Sequence, residues 1–132
     1  MMIRWFLGLL GLFHLLNGLW MIAAPDAWYA AVPGVAMTGP ANHHFIVDIG
    51  LAFAASGVGM MAAFRSGASA TAFALAGATW PTLHALFHVV EWFRDGVPHD
   101  THIALSEGVG VMLIGFAGIA LAWTRAKREG VV

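Results

Sequence analysis

Cysteine is absent from the chain. That excludes disulfides, thiolate zinc sites, iron–sulfur clusters and thiol catalysis, and says nothing about compartment. Charge is scarce, with Asp, Glu, Lys and Arg making up 10% of 132 residues. Six basic residues against seven acidic ones give a formal net charge of -1, so there is no basic footprint for nucleic acid. A glycine-rich phosphate loop, a nucleophile triad, a long linker, a low-complexity tract and an internal repeat are also missing. What remains is apolar. The chain is 60% hydrophobic with a mean hydropathy of +0.79, far from a soluble average. Its length suits one domain, 1–132.

Four stretches reach the roughly 20 mostly apolar residues that cross a bilayer: about 5–24, 44–64, 68–93 and 101–123. The expected fold is therefore all-α, a four-transmembrane-helix bundle whose medium is the lipid bilayer. Pro25-Asp26 ends the first stretch, and Pro33-Gly34 and Gly39-Pro40 make the next connection turn-rich. The third contains Pro81, which removes a backbone donor and should kink it. A cleaved signal peptide competes for the first stretch, with Arg4 as its basic start. The apolar run is long for that role and no Ala-x-Ala site ends it, so a retained helix is expected. Glycines on helices one, two and four, with alanine on two and three, predict close helix packing.

Basic residues set the expected orientation. Arg4, Arg65, Arg125, Lys127 and Arg128 flank one set of helix ends, and only Arg94 flanks the other. The positive-inside rule places both termini in the cytoplasm. The Asp26–Asn42 and Arg94–Asp100 connections then face outward, periplasmic in a bacterium. Trp5, Trp28, Trp92 and Trp123 near helix ends fit an interfacial aromatic belt.

The stretch richest in chemistry is Trp80–Trp92, where His84, His88 and Glu91 interrupt an apolar run. At about 100° per residue all three project from one stripe of one helix. His-x-x-x-His offers two imidazoles to one metal, and the Glu adds an oxygen ligand one turn on. Counting about 1.5 Å per residue from the outer ends, His14 and His84 lie about 13–14 Å deep. Asp48, His88 and Glu107 lie about 6–9 Å deep, with Glu91, His43, His44 and His102 at the rim. Ionisable groups inside a membrane are costly unless they face the bundle interior and find partners. The expected site is thus His84, His88 and Glu91, completed by His44 or Asp48, with Glu107 and His14 converging on it. Each group also has a plainer role: His14 and Asn17 as interhelical hydrogen-bonding residues, Asp48 in a stabilising network, and His43, His44, His99 and His102 as solvated residues in or beside loops.

Asn42-His43-His44-Phe45 with Asp48-Ile49-Gly50, then Leu83-His84 and His88 one helix later, resembles a group of small bacterial four-helix integral membrane proteins. The resemblance runs over most of the chain. It implies a bacterial inner-membrane protein and carries no activity. A looser similarity, to membrane di-iron hydroxylases and desaturases, rests on the His-x-x-x-His and His-His elements. The chain lacks their full histidine set, and its cluster lies on the opposite side of the membrane.

Three functions are compatible with these residues. The first is a metal-binding membrane protein, in which nitrogen and oxygen ligands without thiolate suit zinc, iron, manganese or copper as Cu(II). Such a metal could support redox or hydrolytic chemistry, with Asp48 or Glu107 as a base beside it. The second is b-type haem held by histidines on facing helices, such as His14 or His44 with His88. The third is a non-catalytic subunit or small transporter whose polar cluster relays protons or ions. As a subunit it would pair with a second copy or with a partner in a membrane complex.

Overall fold

Small residues decide how the long helices meet. The structure, a computed structural model, describes residues 2–132. In chain order the helices are α1 (Met2–Ala23), α2 (Pro25–Ala31), α3 (His43–Met61), α4 (Ala68–Gly77), α5 (Thr79–Asp95), α6 (Thr101–Leu105) and α7 (Ile114–Arg128). A short 3-10 turn at Val35–Thr38 follows α2, another at Ala62–Phe64 extends α3, and a π-helical stretch at Ser106–Leu113 joins α6 to α7. No strand occurs among the described residues. Four spans are long and apolar enough to cross a membrane: Met2–Ala23, His43–Phe64, Ala68–Asp95 and Thr101–Arg128. They match the expected stretches closely, the fourth continuing to Arg128 rather than 123.

The bundle is inside-out relative to a water-soluble protein. Leu9, Leu16, Leu51, Val58, Phe73, Leu86 and Leu113 are exposed on its outer faces, while the interior alternates glycine and alanine with a few large side chains such as Leu7, Met21, Phe53 and Met60. Helices satisfy their own backbone groups, which is why such a surface can sit in a bilayer. On α1 the buried positions Leu7, Gly11, His14, Gly18 and Met21 form one stripe. On α3 the matching stripe is Ile46, Gly50, Phe53, Gly57 and Met60. A Cβ at Gly11 would lie 2.8 Å from the Gly57 carbonyl, and one at Gly50 would lie 3.0 Å from that of Gly18. The two backbones therefore touch, and van der Waals contact along the whole crossing replaces a hydrophobic driving force.

Three local features depart from the expected plain helices. Pro25 does not open a loop. It occupies the first turn of α2, where its fixed φ is preorganised and its missing donor is harmless. The third span breaks at Ala78, between α4 and α5. Pro81 leaves the Gly77 carbonyl without its usual donor, and the Thr82 hydroxyl donates to the Ala78 carbonyl at 2.7 Å. The π-helical stretch in the fourth span was not foreseen, although Glu107-Gly108 and Gly110 mark its place.

Both termini lie at one end, tied by arginines. Arg4 donates to the carbonyls of Ala63 and Phe64. Arg125, only 3% exposed, donates to Ala63 at 2.8 Å, to Arg65 at 2.8 Å and to Glu129 at 2.9 Å. Glu129 also accepts from the buried Thr71 hydroxyl at 2.5 Å. These bonds satisfy carbonyls at the end of the second span that no helix can, and they join all four spans. At the opposite, loop end the spans diverge. Helix α3 packs closely on α4 near the tied end but only lightly on α5 beyond it, and α1 meets α7 without comparable contact to Thr101–Leu113.

A candidate ligand cavity between the diverging spans

The divergence leaves a cavity of about 1040 Å³ at the loop end. Its floor is Phe53 with His14 and Trp80 around it, and its walls carry Phe13, Trp20, Phe45, Leu83 and Phe87. The connection between the first two spans folds over it, with Trp28, Tyr29, Val32 and Gly34 among the lining residues. This roof is fastened at several points. The Trp28 indole donates to Asn17 at 3.0 Å, the Tyr29 hydroxyl donates to the Gly39 carbonyl at 2.6 Å, and His43 pairs with Asp26 at 2.5 Å. Gly34, at φ +88°, brings the roof so close to the fourth span that a Cβ would meet Ile103 at 3.0 Å.

The polar wall is built by α5 and the π-helical stretch. His84 and His88 stand one turn apart with perpendicular rings 4.9 Å between centroids. Trp80 lies parallel to His84 at 6.1 Å, and Phe53 meets His84 edge-on at 5.6 Å. Glu107 enters from the π-helical stretch, a wide-turn geometry that often occurs at functional sites. Its Oε2 accepts from the Trp92 indole at 2.5 Å and lies 3.6 Å from His88 Nδ1. Glu91 Oε2 approaches the same nitrogen at 3.9 Å. A Cβ at Gly108 would already meet Trp92 at 3.2 Å, so glycine there lets the indole lie against the fourth span and reach the carboxylate.

Several buried polar atoms facing this region have no protein partner. They are both ring nitrogens of His14, the indole nitrogen of Trp80 and His88 Nδ1. His14 is 3% exposed, stacked beside Phe53 at 5.7 Å. Unsatisfied buried polar groups are uncommon and point to a bound molecule or ordered water.

Five of the residues singled out from the sequence, His14, His84, His88, Glu91 and Glu107, line this cavity. His44 and Asp48 do not. They pair with each other at 3.3 Å on an outward face of α3, with side chains 90% and 55% exposed. The expectation that one of them completes a site with His88 is corrected here. The glycine stripe explains it: Asp48 sits two residues from both Ile46 and Gly50, about 200° around the helix from the face that packs on α1. Among the described residues no three His, Asp or Glu side chains are arranged as a ready-made metal group. His99 and His102 lie outside the cavity lining, and the backbone N–H of His102 donates to the Asp100 cap at 2.8 Å.

Sequence reasoning missed Trp80, Phe53 and the roof, and assigned Trp28 and Trp92 to an interfacial belt. The signal for Trp80 was its place one turn before His84 on the same stripe. Compared with known proteins, the chain matches no family model, no curated protein and no solved structure.

Proposed function

We propose that this chain is a multi-pass protein of a bacterial plasma membrane that binds a small lipid-soluble molecule in the loop-end cavity. In this reading the loop end faces outward, because five of the six basic residues gather at the end that carries the termini. The observation that carries the proposal is a large aromatic cavity with partnerless polar atoms of His14, Trp80 and His88 beside it. Such a combination of apolar wall and a few convergent polar groups is how small-molecule sites are built. His88, Glu91 and Glu107 would meet the polar end of the ligand, their heads supplying hydrogen-bond donors and acceptors. The test is native mass spectrometry of the chain extracted in mild detergent. A small-molecule adduct in wild type, diminished in Gly110→Leu, supports the reading. Bare chain in both, with no saturable uptake of an added aromatic probe, sinks it.

A second reading rests on His88 Nδ1, a buried nitrogen faced by two carboxylate oxygens at 3.6 and 3.9 Å. A modest inward movement would let His88, Glu91 and Glu107, with His84 one turn away, hold a divalent metal such as zinc, iron or manganese. Elemental analysis of wild type, His88→Ala and His99→Ala decides it. Metal kept by His99→Ala and lost by His88→Ala supports this reading, and a metal-free wild type from metal-replete cells removes it.

A further inference from the structure

We infer that the ligand of this cavity is a lipophilic cation, an amine or quaternary ammonium on an apolar body. The inference rests on the cavity reading above and narrows it by charge. No lysine or arginine lines the cavity, whereas two carboxylates do, Glu91 and Glu107. Their common neighbour is a single imidazole, His88. The nearest arginine in sequence, Arg94, is exposed and paired with Asp95 at 3.3 Å. The ionisable groups that line the cavity are thus two carboxylates and three imidazoles, His14, His84 and His88, with no fixed cation among them. Glu107 is the deeper carboxylate, with its side chain 20% exposed, and Glu91 stands at the rim at 40%; a carboxylate held partly away from water gains from an opposite charge beside it. An anionic ligand would be repelled by a carboxylate there, and a neutral one would gain nothing from its charge.

The wall supplies the second half of the recognition. Trp28, Tyr29, Phe53 and Trp80 border the space, with the more exposed Trp20 and Phe87 at its mouth, and ring faces attract a cation through their quadrupoles, tryptophan most strongly. A metal ion would need only the His88 corner, and the aromatic volume beyond it would go unused. An organic cation uses both. An independent sign of an occupant is His14, 3% exposed with neither nitrogen partnered, at the cavity floor.

The test uses the full chain in an uncharged detergent at fixed pH. Two probes of equal shape are compared by tryptophan quenching and equilibrium dialysis: naphthylmethyl-trimethylammonium and neopentylnaphthalene, which has carbon in place of the nitrogen. The cation should bind about tenfold more tightly. Glu107→Gln, which keeps an acceptor for Trp92, should erase most of that preference, and Glu91→Gln should reduce it if the first variant does not fold. Equal binding of the two probes overturns the charge assignment while leaving the cavity reading intact. Binding of neither overturns both. Preference for the cation that persists in both Gln variants assigns it to detergent or surface partition and also overturns the inference.

Discussion

Gly110 and Gly57 separate a glycine that lines a cavity from one that holds a helix crossing. A Cβ built at Gly110 meets no atom within 4 Å, and the residue lines the cavity. A Cβ at Gly57 would run into the Leu15 backbone nitrogen and lie 2.6 Å from the Gly11 carbonyl. Gly110→Leu should therefore fit without displacing backbone. Replacing glycine by a helix former contributes about 1 kcal/mol, and added carbons in lipid gain contact rather than a hydrophobic driving force. The wide-turn backbone there takes back part of this, so a net change between about 0 and 1 kcal/mol is expected. Gly57→Ala should lose about 1–3 kcal/mol, the cost of overpacking a close contact. Thermal unfolding in detergent, followed by circular dichroism, measures both. The same Gly110→Leu protein should take up an aromatic probe far less than wild type. If Gly110→Leu is as destabilised as Gly57→Ala, the space beside Gly110 is not there and the cavity argument fails.

Other consequences can be checked with the same preparation. Arg125→Met strips donors from the Ala63 and Arg65 carbonyls and the partner from Glu129, and should lower stability by about 3 kcal/mol; a loss below about 0.5 kcal/mol would show that the arginine is dispensable. Hydrogen bonds from Thr71 and then Arg125 hold the Glu129 carboxyl below the usual carboxylate range. Its contribution is complete above the unfolded-state value and is lost as pH falls through the folded-state value. The acid limb of a stability–pH curve should accordingly be shallower in Glu129→Gln, and an unchanged limb counts against this. Trp92→Phe removes the indole donor to Glu107 and should cost about 1–3 kcal/mol, with Glu107→Gln,Trp92→Phe little worse than Trp92→Phe alone if the two act as one pair.

Much of this fold is legible in the sequence, because long apolar runs broken by Pro25, Pro40 and Arg94 say where helices must begin and end in a bilayer. Close packing was legible too, since Gly11 with Gly18 and Gly50 with Gly57 lie on single stripes, but which helices would pair was not. The candidate site was only half legible. His84, His88 and Glu91 share a stripe by periodicity alone, whereas their union with Glu107 depends on a π-helical stretch that has no period of its own. Asp48 misled because the rule that membrane carboxylates turn inward competes with close packing. Gly50 and Gly57 fix which face of α3 meets α1, and Asp48, so near the start of its helix, is left on the other side. The cavity itself is a property of how spans diverge beyond the Ala78 break, which no single helix encodes.

The measurement that bears most directly on the cavity is a binding isotherm for the naphthylmethyl probes on purified wild type and Gly110→Leu in an uncharged detergent. The account predicts saturable binding of at least one probe at one site per wild-type chain, and weaker binding to Gly110→Leu. Linear, non-saturable uptake of both probes by the wild type, indistinguishable from that of Gly110→Leu, would contradict it.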